Sequence, residues 1–125
     1  MDNGLTKGEI EAAIRTAIIR FEQEFMGRGP EDVRAFVVRD LVVVRLKGVL
    51  TPAERQLAKT AEGVEMVKRI RQTLIAQGRD QLFEQVSKIT GARVLAIFTD
   101  INAQIGEKVF VFTVDRDLEN LVRQT

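Results

Sequence analysis

Apolar residues near the start of the chain recur in steps of three and four. Ile10, Ile14, Ile18, Phe21 and Phe25 share one helical face with Ala13 and Ala17, while Arg15, Arg20, Glu22 and Glu24 take the remainder. This pattern predicts an amphipathic helix over residues 8–26. Gly27-Arg28-Gly29-Pro30 stops it, because glycine accepts a left-handed cap and proline cannot continue a helix. The period then changes. Residues 33–39 and 41–49 are rich in β-branched side chains and predict two strands joined by a tight turn at Arg39-Asp40. Leu41-Val42-Val43-Val44 is apolar on both faces, although Arg34, Arg39, Arg45 and Lys47 interrupt the pattern. A sheet apolar on both faces needs cover on both, from helices or from another subunit.

The stretch Thr51-Pro52-Ala53-Glu54 marks the return to helical structure. Thr51 is a favoured N-cap, Pro52 sits at the first helical position, and Glu54 completes a capping box. A stripe through Val64, Val67, Ile70, Leu74, Leu82, Val86 and Ile89 carries the helical pattern to about residue 90. Unbroken over residues 52–89, that helix would be ~57 Å long, against ~35 Å for a domain of this size. A break is therefore expected at Glu62-Gly63, with Gly78 a second weak point, giving a short helix of about ten residues and a long one of about 27. Gly91 ends the long helix. Residues 93–100 and 108–114 predict a second pair of strands, and Asp115 a cap for a terminal helix over 117–123. The order αββααββ describes one α+β domain over residues 1–125, with a mainly antiparallel four-stranded sheet and helices packed on it.

Composition narrows the chemistry. With 19 basic and 18 acidic residues the net charge is +1, which disfavours a dedicated nucleic-acid binder. Cysteine and histidine are both absent, so thiolate chemistry, Cys-ligated zinc and a histidine base are excluded. Ser87 has no histidine to activate it. The N-terminus lacks the pattern of a secretory signal, and no apolar run approaches the ~20 residues that span a bilayer. A cytoplasmic protein with no direct membrane insertion is expected, with no cofactor and no metal.

Candidate site residues are few. Asp40 and Asp100 each end the first strand of a pair and could serve a carboxylate site, although Asp is also a favoured turn residue. Thr51 and Glu54 read first as a helix cap. Lys68, Arg69 and Arg71 could contact phosphates, but beside Glu62 and Glu65 they read better as a solvated helix face. No catalytic residue is assigned. The seven phenylalanines lie mostly within apolar patterns, so core packing is their default role.

Four stretches together resemble the MpsC-like family: "GRGPEDV" (27–33), "LVVVRLKGVLTPAERQLA" (41–58), Glu62-Gly63 and "FTDINAQIGEKVFVF" (98–112). The resemblance covers nearly the whole chain. It implies an accessory or regulatory protein, more in keeping with a non-enzyme. Such a protein would work beside membrane subunits of a sodium-translocating, membrane-potential-generating system linked to inorganic-carbon supply, peripheral to the inner membrane face through a partner. Two other readings stand beside it: a small-ligand or anion-binding enzyme using carboxylates and arginines, and a nucleic-acid-binding protein. Both faces of the sheet being apolar, and the long helix overhanging a lone domain, self-association as a homodimer is expected.

Overall fold

The computed structural model describes residues 4–121. Helix α1 (Lys7–Met26) opens with a capping box between Thr6 and Glu9 and closes at Gly27, whose φ of 84° is the left-handed conformation glycine permits. Its apolar stripe buries Ile10, Ile14, Ile18 and Phe21. Strands β1 (Asp32–Val38) and β2 (Leu41–Lys47) form an antiparallel hairpin about Arg39-Asp40, with Arg39 in the left-handed region at φ 55°. After α2 (Pro52–Leu57) and α3 (Ala61–Thr90) come β3 (Val94–Asn102), β4 (Glu107–Val114) and α4 (Leu118–Leu121). The fold is α+β, and its sheet runs β1-β2-β4-β3 with every neighbouring pair antiparallel.

Strand parity sets the two faces of the sheet. Ala35, Val37, Val42, Val44, Leu46, Phe110, Phe112 and Val114 point to one side and are buried beneath α1 and α3. α1 lies against the edge strand β1, and its Phe21 reaches inward to meet Phe110 edge-on at 6.3 Å, while Phe110 stacks near Phe112 at 5.8 Å. The opposite face carries Phe36, Val43, Val111 and Phe98 in one rung across all four strands. None of these four is buried, and Phe36 and Phe98 are 46% and 61% exposed. Core packing therefore does not account for all the phenylalanines, because the helices among the described residues cover only one side.

The helical region breaks earlier than the sequence suggests. α2 has six residues, and α3 starts afresh at Ala61 with Thr60 as its cap, so the interruption lies at 58–60. Gly63 lies inside α3 because the two helices meet there: a Cβ on it would stand 1.6 Å from the backbone oxygen of Leu57. Gly78 does not weaken α3, which runs unbroken for 30 residues. It marks the crossing with α1, where a Cβ would come within 2.5 Å of the Phe21 ring. At the C-terminus, Asp117 rather than Asp115 accepts the Glu119 N–H at the start of α4, and Asp115 accepts the Arg93 N–H instead. Residues 122–123 of the expected terminal helix lie outside the described residues.

Candidate functional site

Four charged side chains meet between the helices and the covered face of the sheet. Glu22 of α1, Arg71 of α3 and Lys108 of β4 are each about 1–2% exposed, an expensive placement unless charges are paired. Lys108 Nζ donates to Glu22 Oε2 at 2.7 Å and stands 4.7 Å from the centre of the Phe110 ring. The Arg71 guanidinium takes Glu54 in a two-pronged grip, Nε to Oε2 at 2.8 Å and Nη2 to Oε1 at 2.7 Å. Its Nη2 also donates to the Val49 carbonyl at 2.9 Å. Arg71 Nη1 and Glu22 Oε1 face each other at 3.7 Å, each without a hydrogen bond, and link the two pairs into one chain.

The sequence places these groups where they are by phase. Glu22 follows Ile10, Ile14 and Ile18 at intervals of four, and Arg71 falls between Val67 and Ile75 at the same interval. Lys108 shares parity with Phe110, Phe112 and Val114. Each is a charged residue in an apolar phase. Sequence reasoning left out Glu22 and Lys108 and put Arg71 on a solvated face. Arg71 is in fact buried, because α3's inward stripe runs through Val67, Arg71, Ile75, Gly78 and Leu82, one position away from a stripe drawn through Ile70 and Leu74.

Thr51 and Glu54 have a larger role than closing a helix end. The capping box forms as expected, with Thr51 N–H donating to Glu54 Oε1 at 2.9 Å and Glu54 N–H to Thr51 Oγ1 at 3.2 Å. The Glu54 carboxylate that closes the box is the one gripped by Arg71, so the cap also fastens α2 to α3. Replacing Thr51 with alanine should cost about 1 kcal/mol, as for an ordinary N-cap, measured by urea unfolding. A loss near zero would show that Arg71 alone orients Glu54.

Protonation follows from the same contacts. Burial works to raise the Glu54 pKa, but hydrogen bonds from Arg71 and from the Thr51 backbone outweigh it and hold the carboxyl below its ordinary 4.5. The Arg45 hydrogen bond lowers Glu107, and the Arg39 backbone N–H lowers Glu119. These carboxylates bind protons more weakly folded than unfolded. Their stabilisation is therefore complete above about pH 4.5 and is lost as pH falls through the folded values. Thermal melting should drop on acidification below that point, and Glu54→Gln should flatten the drop. Burial pushes the Lys108 ammonium the other way, below 10.5, against the attraction of Glu22.

The remaining candidates are scattered. Lys68 and Asp100 do meet, Nζ to Oδ1 at 3.6 Å, but at the surface. Arg69 is exposed on α3. Asp40 lies at the opposite end of the sheet from Asp100: its carbonyl accepts from Val114, whereas Asp100 pairs with Val109, a separation of about 15 Å along the strand. Asp40 lines an open groove with Arg39, Arg93 and Arg116, yet Arg39 lies 3.9 Å from Asp117 and Arg116 lies 3.7 Å from Asp115. Among the described residues, no group of three or more Asp and Glu side chains could hold a metal ion. The quartet suits none either, since both of its carboxylates are bound to cations of the chain.

The loops at the other end of the sheet draw together three of the stretches read in the sequence. Arg28 Nη1 and Arg55 Nη1 both donate to the Leu50 carbonyl, at 3.0 and 3.2 Å, and Val49 N–H donates to the Gly106 carbonyl at 3.2 Å. An open groove of about 490 Å³ lies between them, lined by Arg55, Lys59 and Ile105 among others. Residues 6–116, which include the charge quartet and all of these loops, match the family described as Na+-translocating membrane potential-generating system (MpsC). The chain belongs to the MpsC family. It is similar to two Bacillus subtilis (strain 168) proteins called uncharacterized, YbcI and YrhF. Identity to YbcI is 39% over 114 residues, covering 91% of this chain and 92% of that one. Identity to YrhF is 33% over 103 residues, covering 82% and 84%. No solved structure matches. The MpsC match thus includes both the clamp inside the molecule and the groove at its end.

Proposed function

We propose that this MpsC chain is an accessory subunit of a membrane-potential-generating system, acting by contact with membrane-embedded subunits and not by its own catalysis. One observation carries the reading. Building a potential requires moving charge across a bilayer, and only helices or closed barrels span one. No helix among the described residues is long and apolar enough to cross, and the sheet has two open edges, β1 and β3, so it is no closed barrel. A chain of this architecture needs partners for the translocation step.

The disposition of charge supports the same reading. The buried ionisable groups pair with one another to hold α1, α2 and α3 to the sheet. The loop-end groove with Arg55, Lys59 and Ile105 is a surface open to such a partner. The test is a sodium-dependent membrane potential, followed with a potential-sensitive dye in cells lacking this chain and in the same cells re-expressing it. Loss without the chain and recovery with it is the expected result; a potential indifferent to the chain would overturn the proposal.

A further inference from the structure

We propose that the open face of the sheet is the interface between two copies of this chain, related by a twofold axis that runs parallel to the strands. The inference goes beyond the accessory role and does not depend on it. It starts from the apolar rung Phe36–Val43–Val111–Phe98, which no helix among the described residues covers. Two phenyl rings about half exposed at opposite ends of one rung are an unusual cost for a lone domain.

The charges on the same face decide what covers it. The next rung reads Arg34–Arg45–Val109–Asp100, with arginine at the β1 edge and aspartate at the β3 edge. Beyond it stand Lys47 and Glu107, neighbours on the two central strands. A twofold axis along the strands, between β2 and β4, lays β1 of one copy over β3 of the other and keeps every rung at its own height. Phe36 then faces Phe98 of the second copy, Arg34 faces its Asp100, and Lys47 faces its Glu107. The face is self-complementary in this arrangement. An axis across the strands would instead place the arginine rung over Val38 and Leu41, and it would strand the charges on apolar surface.

Arg34 and Asp100 side chains are 71% and 70% exposed. Arg34 reaches Asp32, and Asp100 turns round the β3 edge to Lys68 of α3, each at 3.6 Å, so dimerisation exchanges these exposed pairs for pairs between copies, while Glu107 keeps its bond to Arg45. Sheets stacked face to face keep their strands within about 30°, so rungs near the axis stay in register. The face measures roughly 20 by 25 Å, on the order of 500 Å² in projection and more in accessible area. That reaches the lower range of stable interfaces, ~600 Å² per partner.

The sheet edges are poorer docking sites. On β1 the Val37 N–H is taken by Glu11 of α1, and on β3 the Val94 N–H is taken by Ser87.

Light scattering coupled to size exclusion, detected by refractive index because the chain lacks Trp and Tyr, tests the proposal. Wild-type protein at micromolar concentration should show twice the 14.1 kDa chain mass. Arg34→Asp alone and Asp100→Arg alone each place like charges opposite one another twice per dimer, and each should weaken association by roughly tenfold or more. The double variant Arg34→Asp/Asp100→Arg restores both pairs and should restore the dimer. All these positions are exposed, and circular dichroism checks that each variant is folded. A wild-type monomer, single variants that dimerise normally, or a double variant that stays monomeric would each overturn the proposal.

Discussion

Glu22→Leu should cost about 3–5 kcal/mol in urea unfolding, the range for breaking a buried ion pair by removing one partner. The loss has a definite source. Without Glu22, the buried Lys108 ammonium loses its hydrogen-bonded carboxylate and keeps the repulsion of the buried Arg71 guanidinium. The Lys108 pKa, already lowered by burial, should fall further. The unfolded chain then holds that proton more tightly than the folded one, so the variant's stability should rise with pH up to about 10.5, the ordinary lysine value. Adding Lys108→Met should recover most of the loss, because a buried pair replaced whole by apolar groups is often close to neutral. A single variant that loses under 1 kcal/mol, or a double variant no better than the single, would refute the clamp as drawn.

Gly63→Ala should cost about 2–3 kcal/mol, although alanine is the better helix former by about 1 kcal/mol. The new methyl would overlap the Leu57 carbonyl, a backbone atom that no rotamer change can move aside. Relief requires α2 to shift away from α3, and that shift pulls Glu54 from the grip of Arg71. Gly8→Ala is the control. A Cβ there has nothing within 4 Å, so the change should be neutral or stabilising by up to ~1 kcal/mol. Equal effects at the two glycines would show that the helix contact at Gly63 is not tight.

Local rules carried the sequence a long way. The hairpin turn at Arg39-Asp40, the glycine stops and the Thr51 cap were all legible, because each is settled by a few neighbouring residues. What escaped was long-range. Ile70 looked like the inward residue of α3 because it is apolar, yet it is 48% exposed while Arg71 is buried. Only the partners explain that choice: Glu54 is 17 residues away in sequence, and Glu22 lies on another helix. The break before α3 was misplaced for a related reason. Gly63 signals a close approach to another backbone, and a glycine alone does not distinguish that from the end of a helix. The apolar character of both sheet faces was readable from Leu41-Val42-Val43-Val44, but not which face the helices would take.

The buried charges hold the fold together, and the function lies on the surface. The Glu22→Leu/Lys108→Met double variant tests this most directly, through the sodium-dependent potential of cells that carry it in place of the wild-type chain. With folding verified by circular dichroism and by a melting temperature near the wild type, the potential should be restored in full. A variant folded to the same extent that restores none of it would make Glu22 and Lys108 part of the working site.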